Sequence, residues 1–148
     1  MAISIRVGKE SDAEAAIAVL RRSITQLCSA DHQDDDDEIA GWLSNKTAAS
    51  WAAWINREDA TVLVAELTGN VVGVGMMDGR GEILLNYAHT DARFKGISKG
   101  ILLALEAQAR ARGIKMCVLE STRTAKKFYE DRGYEAAAGS TLRLSKRL

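Results

Sequence analysis

Hydrophobic and polar residues alternate at the start of the chain, with Ile3, Ile5 and Val7 at every second position, a period of two that predicts a strand. The period then lengthens. Ile17, Leu20, Ile24 and Leu27 recur at helical spacing to about Cys28, and Ser11 with Glu14 has the spacing of a capping box, where each side chain satisfies a free N–H at the helix start. A polar, acidic stretch from Asp31 to Asp37 reads as a loop. A short helix carrying Ile39, Trp42 and Leu43 comes next, and a second starts at Thr47 with Trp51, Trp54 and Ile55 on its buried side. β-branched residues then take over. Strands are predicted at Thr61 to Leu67, Val71 to Met77 and Glu82 to His89, separated by turns at Thr68-Gly69-Asn70 and Asp78-Gly79-Arg80-Gly81. Asp-Gly is a strong hairpin signal because glycine accepts positive φ at little cost, so this stretch is an antiparallel meander.

Beyond the meander a glycine-bearing loop opens a helix from about Ser98 to Arg112, with Ile101, Leu102, Leu105 and Ala109 on one face and Gly113 placed to end it. Met116 to Leu119 is a short apolar strand, Thr122 to Arg132 another helix closed by Gly133, and the tail from Tyr134 to Leu148 can form a final hairpin around Gly139. The pattern predicts one α+β domain over residues 1–148, with no internal repeat or linker.

Composition narrows the class. With 148 residues, 47% of them hydrophobic and 27% charged, the chain is an ordinary globular mix that can bury a real core. Its net charge is +0, so a general electrostatic grip on nucleic acid has no support. No apolar run approaches the roughly 20 residues that span a bilayer, and the N-terminus lacks the apolar stretch of a signal peptide. Cys28 and Cys117 make neither a CxxC nor a disulfide framework. These features point to a cytoplasmic protein with no nucleic-acid or membrane partner. A homodimer stays open, since nothing specific signals it. The run Asp34 to Asp37 lacks the spacing of a calcium loop and reads as a solvated stretch before a helix, so no metal is expected; an attraction for cationic amines is a further reading of its charge.

The segment RFKGISKG (Arg93 to Gly100) carries the chemistry. A strand, a glycine-containing loop and a helix form an arrangement that binds phosphate, because the first N–H groups of a helix have no partner inside it and its dipole favours an anion. Gly96 and Gly100 remove side chains there, Ser98 can add a hydroxyl donor, and Lys95 and Lys99 add positive charge. The same glycines would also serve a plain turn. The loop matches neither GxxxxGK[ST] nor GxGxxG, which disfavours a P-loop or dinucleotide site.

Taken together with the strand before it and the segment from Ser121 to Tyr134, the loop becomes specific. From Ile83 to Tyr134 the sequence resembles the core of the GCN5-related N-acetyltransferase (GNAT) superfamily. ILLNYAH (Ile83 to His89) is similar to the family's fourth strand, RFKGISKGILLALE (Arg93 to Glu106) to its acetyl-CoA loop, and STRTAKKFYEDRGY (Ser121 to Tyr134) to its ending, where Ala125, Phe128, Tyr129, Gly133 and Tyr134 match directly. Lys95 stands where Gln or Arg is usual, Ser98 where Gly is, Thr90 where Pro is common, and Thr122 where an Asn often touches the pantetheine arm. Ser98 is tolerable if its φ is negative.

The resemblance implies a mixed, mostly antiparallel sheet of about six or seven strands flanked by helices, with a cleft where the fourth and fifth strands splay. It implies acetyl-CoA as cosubstrate and an amine acceptor that the sequence does not identify. The diphosphate would sit at Lys95, Gly96, Ile97, Ser98, Lys99, Gly100 and Ile101. The pantetheine would pair with the backbone of Tyr87, Ala88 and His89, as an added strand would, and touch Thr122, Ala125 and Phe128. A neutral amine would attack the thioester directly. Tyr129 is the expected general acid, because a phenol stays protonated at neutral pH and is nearly matched to an alkyl thiol; otherwise it is an aromatic anchor like Phe128. The base is Glu82 or His89, or an acid from Asp34 to Glu38. His89 could equally be a strand-end histidine, and Glu82 a turn cap. Asp31 and His32 read as a hydrogen-bonded pair or a cap before a catalytic dyad, Cys117 as core, and Trp42, Trp51 and Trp54 as core before substrate wall. A non-catalytic acetyl-CoA sensor and a scaffold without cofactor are the competing classes, because fold alone does not decide function.

Overall fold

The computed structural model describes residues 3–27, 36–89, 96–136 and 142–148. Its elements are β1 (Ile3–Val7), a 3₁₀ turn (Glu10–Asp12), α1 (Ala13–Leu27), α2 (Asp36–Leu43), α3 (Ala48–Ile55), β2 (Thr61–Leu67), β3 (Asn70–Met77), β4 (Glu82–Ala88), α4 (Ile97–Ala111), β5 (Met116–Glu120), α5 (Lys126–Glu130), β6 (Glu135–Ala136) and β7 (Arg143–Arg147). The strands form one sheet in the order β1-β2-β3-β4-β5-β7-β6. Neighbours pair antiparallel except β4 and β5, which run parallel. The mixed α+β sheet expected from the sequence is therefore present.

β2 occupies the middle of the first half and is buried along nearly its whole length, which explains its near-continuous apolar run. Leu63 and Ala65 enter a core shared with α4, whereas Val62 and Val64 enter a second core with Ala16, Val19 and Leu20 of α1 and Trp51 of α3. Helices thus cover both faces. α4 lies unusually close to β3. A Cβ built on Gly75 would fall 2.2 Å from Ile101 Cγ2, and one on Gly73 would fall 2.5 Å from Ile97 Cγ2. These two glycines let the first turns of α4 rest directly on the sheet, so they fix where that helix begins.

Several local expectations are corrected. The start of α1 does not use Ser11 and Glu14; the Asp12 carboxylate accepts from Lys9 N–H at 2.8 Å instead. The reason is Arg6, which grips Asp12 with two bonds of 2.8 Å and also pairs with Glu66. Arg6 holds the Asp12 carboxyl below the usual carboxylate range, chiefly through those hydrogen bonds. A depressed folded-state pKa adds stability that is present above the unfolded value and is lost as pH falls toward the folded one. Asp12→Asn is therefore expected to lower the melting temperature at neutral pH and flatten its dependence on acid, as read by thermal melts from pH 7 down to about 3.

Ile3 and Ile5 are partly buried, but Val7, next in the same alternation, is 66% exposed. Asp36 and Asp37 already belong to α2 rather than to a loop. The final helix is much shorter than Thr122 to Arg132: the segment before it is a turn in which Thr122 Oγ1 accepts from Ala125 N–H at 3.1 Å. α3 starts where predicted, with Thr47 as its N-cap, the side chain accepting from Ser50 N–H. Cys28, Asp31, His32, Asp34, Thr90, Arg93, Lys95 and Gly139 lie outside the described residues. Cys117 is core: burial, then the nearby Glu106 charge, pushes its thiol up, which disfavours a nucleophilic thiolate.

Candidate active site

β4 and β5 are joined by only two residue pairs, Glu82 with Val118 and Ile83 with Leu119. The cause of their parting lies on the other edge of β4. Its register against β3 steps from Met77–Ile83 to Met76–Leu85, so Leu84 is an extra residue in the ladder. Such a bulge bends and twists its strand. It also reverses the facing of the chain: Ile83 packs in the α4-side core and Leu85 in the α1-side core. Without the bulge both would share a face.

Past Ile83 the two strands enclose a cleft of about 520 Å³. One wall is β4 from Ile83 to Ala88, and the other is the end of β5 with Ser121, Thr122, Thr124 and Ala125. Gly96, Ile97, Ser98 and Lys99 of the α4 start line it, as do Phe128, Tyr129 and Arg132. Because His89 N–H donates to Val72 O at 2.7 Å, antiparallel alternation turns the backbone groups of Asn86 and Ala88 away from β3, toward the cleft. The Ala88 carbonyl already accepts from the buried Ser23 hydroxyl of α1 at 2.6 Å.

The α4 start has the geometry of an anion site. Gly96 is the N-cap at φ 77°, a left-handed conformation that favours glycine, and it brings no side chain to cap the helix. The first bond of the helix runs from Gly100 N–H to Gly96 O at 2.9 Å, so the earlier N–H groups at Ile97, Ser98 and Lys99 have no partner in the helix. Thr68 is the one non-glycine with positive φ among the described residues, so Ser98 meets the condition set for it.

The predicted residues divide accordingly. Tyr87, Ala88, Gly96, Ile97, Ser98, Lys99, Thr122, Ala125, Phe128 and Tyr129 come together around the cleft. Gly100 and Ile101 do not line it: a Cβ on Gly100 would face Ile5 at 3.6 Å, and Ile101 is fully buried against β3. Their part is to seat the helix. Glu82 sits at the closed end of the β4–β5 pairing, 3.6 Å from Arg143, and does not line the cleft either. His89 follows β4 on the α1 side, with Nε2 3.4 Å from Arg22 Nη1, and does not line the cleft.

Tyr129 is 7% exposed, and its ring packs edge-on against Phe128 and Tyr134. Burial pushes its hydroxyl up to about 12, and the side chain of Asn86 acts in the opposite sense. Asn86 and Arg132 are site residues that sequence reasoning missed. Asn86 Nδ2 donates to Ser98 O at 3.2 Å, tying β4 to the first turn of α4, while its Oδ1 is buried without a partner among the described residues. A lone amide in the apolar strand ILLNYA was the available signal. On the other face of β4 a second cavity of about 390 Å³ lies between α1 and the α2–α3 segment, lined by Ile24, Trp42, Lys46 and, from β4, Tyr87. Tyr87 borders both spaces. Burial lowers the Lys46 ammonium below its ordinary range.

Among the described residues no group of three or more His, Cys, Asp or Glu is gathered to hold a metal ion, and no helix is long and apolar enough to cross a membrane.

Comparison with known proteins agrees with this geometry. The PaiA N-acetyltransferase of Thermoplasma acidophilum, solved in complex with coenzyme A, is 24% identical and superposes with a TM-score of 0.88, the match covering 100% of both chains. A GCN5-related N-acetyltransferase from Rhodopseudomonas palustris is 27% identical with a TM-score of 0.85, over 100% of this chain and 99% of that one. A ribosomal-protein-alanine N-acetyltransferase from Brucella melitensis is 25% identical with a TM-score of 0.68, over 98% and 99%. No curated protein matches the sequence. The family model described as an acetyltransferase (GNAT) domain matches residues 29–143. A sheet that parts beside an uncapped helix start, together with that match over most of the chain, establishes that this protein belongs to the GNAT acetyltransferase family.

Proposed function

We propose that this protein is an N-acetyltransferase that takes acetyl-CoA in the β4–β5 cleft and transfers the acetyl group to a primary amine of a small molecule or peptide. The observation that carries the proposal is the cleft itself, which opens where two strands stop pairing and reaches the uncapped start of α4. The donors and the shape fit the cosubstrate. The N–H groups at Ile97, Ser98 and Lys99 suit a diphosphate. The outward backbone groups of Asn86 and Ala88 suit the amides of a pantetheine arm, which would take the place of a strand. The relative from Thermoplasma acidophilum is itself described with coenzyme A.

Acetyl-CoA supplies the activated thioester. Tyr129 would hold a proton in the cleft wall at neutral pH and give it to the departing thiolate sulfur as the amine nitrogen bonds to the acyl carbon. Its raised pKa keeps it protonated, while the Asn86 side chain moderates the effect of burial. The amine would enter through the second cavity, because Tyr87 borders both spaces. Glu82 and His89 both stand outside the cleft lining; Glu82 is engaged with Arg143 at the closed end of the pairing, whereas His89 follows β4 at its open end and is the better placed of the two, with an acid of the Asp34 to Glu38 run as the alternative.

The test has two stages. Calorimetry with coenzyme A is expected to show binding, and a screen of primary amines with acetyl-CoA is expected to release thiol with at least one class. Binding without thiol release from any amine would favour a non-catalytic sensor. No heat with coenzyme A would overturn the proposal.

A further inference from the structure

Arg132 lies just beyond α5 and lines the cleft, with its guanidinium 4.0 Å from the centre of the Phe128 ring. One donor is spent inside the protein, Nη1–H on Phe128 O at 2.7 Å. The Nε is shielded from water and has no partner among the described residues. Among the described residues no carboxylate lies within ion-pair distance of Arg132, which combines this with a stacked position in the cleft wall. A stacked, partly shielded cation with no counter-ion, set in the wall of a cleft, is an anion site in waiting. Stacking and the carbonyl bond hold the planar fork still, so little freedom is lost when it takes a ligand. A cation that served only the end of α5 would need the Phe128 bond and nothing more.

We propose that Arg132 is a second anchor for the cosubstrate, its free guanidinium edge taking a phosphate group of acyl-CoA from the α5 side of the cleft while the first turn of α4 takes another. The proposal rests on the acetyl-CoA reading. It adds a residue outside the α4 loop, and it makes the protein sensitive to how many phosphates the ligand carries. Arginine suits that task because its fork meets two phosphate oxygens at once.

The test is calorimetry of wild type and Arg132→Gln with three probes: coenzyme A, 3′-dephospho-coenzyme A and pantetheine. Glutamine keeps much of the packing and a donor for Phe128 O, and thermal melts check that the fold is retained. The variant is expected to bind coenzyme A about tenfold more weakly, the effect of losing a charge-assisted pair, with pantetheine unchanged. Loss of the Arg132 effect with the dephospho compound identifies the ribose phosphate as the partner, and its persistence identifies the diphosphate; either result supports the proposal. Equal binding of coenzyme A by both proteins would overturn it, as would an equal loss with pantetheine, which marks a packing role. If wild type itself fails to bind coenzyme A, the acetyl-CoA reading falls as well, which no variant result can mimic.

Discussion

Tyr129→Phe is expected to lower kcat by about 10²–10⁴-fold, the range that a positioned proton donor contributes. The KM for acetyl-CoA should stay within about twofold, since a group acting only in the transition state leaves ground-state binding alone. Phenylalanine keeps the edge-on packing of ring 129 on Phe128 at 5.0 Å and Tyr134 at 5.7 Å, so the loss would be chemical rather than structural. The pH profile gives a second reading. Burial raises the Tyr129 hydroxyl to about 12, so the acid stays protonated while the amine is being neutralised. The rate should therefore climb with pH and show no fall near 10, the ordinary tyrosine value. Steady-state rates of wild type and variant, measured with an amine found in the screen, decide the matter. A variant that keeps most of the wild-type rate removes Tyr129 from the acid role.

The largest effect on stability is expected at Lys146. Glu106 of α4 is 1% exposed, and its carboxylate accepts from the Tyr134 hydroxyl at 2.8 Å and from Lys146 Nζ at 3.1 Å. Burial and the bond to Glu106 push the Tyr134 hydroxyl far above its usual range, so it remains a donor. Lys146→Ala leaves the buried carboxylate without its cation, which typically costs about 3–5 kcal/mol. That is a large share of the about 5–15 kcal/mol that holds a domain together. Urea melts should show the loss as a fall in midpoint with little change in slope. Adding Glu106→Gln to Lys146→Ala should recover part of it, because the unpaired charge is then gone; non-additivity of the pair separates this account from simple loss of lysine packing. Equal melts for wild type and Lys146→Ala would show that the pair contributes nothing.

Much of the architecture was legible in the chain because it rests on local signals. Alternation marked β1, β-branched runs and Asp78-Gly79 marked the meander, and helical spacing marked α1 and α4. Ala125, Phe128 and Tyr129 meet around the cleft because α5 and the turn before it present them to one space. What escaped depends on distant partners. Ser11 and Glu14 have the right spacing for a cap, but Arg6 of β1, itself paired with the distant Glu66 of β2, draws Asp12 into that role. Gly73 and Gly75 look like weak points in a strand, yet they admit α4, a reason that exists only once the helix is in place. The extra residue at Leu84 leaves no mark in composition, since it is one apolar residue among several and its effect is a change of register. Glu82 has the right chemistry for a base, but the bulge begins after it and leaves it at the closed end, paired with Arg143.

Only two residue pairs stitch β1–β4 to the ribbon of β5, β7 and β6, so in the ligand-free protein the seam at Glu82 and Ile83 is where the interior of the sheet should open most readily to hydrogen exchange. A molecule lying along that seam would act as mortar between the two slabs, slowing exchange in β5 and β7 as well as at the atoms it touches. Occupancy would then be written into the rigidity of the whole sheet.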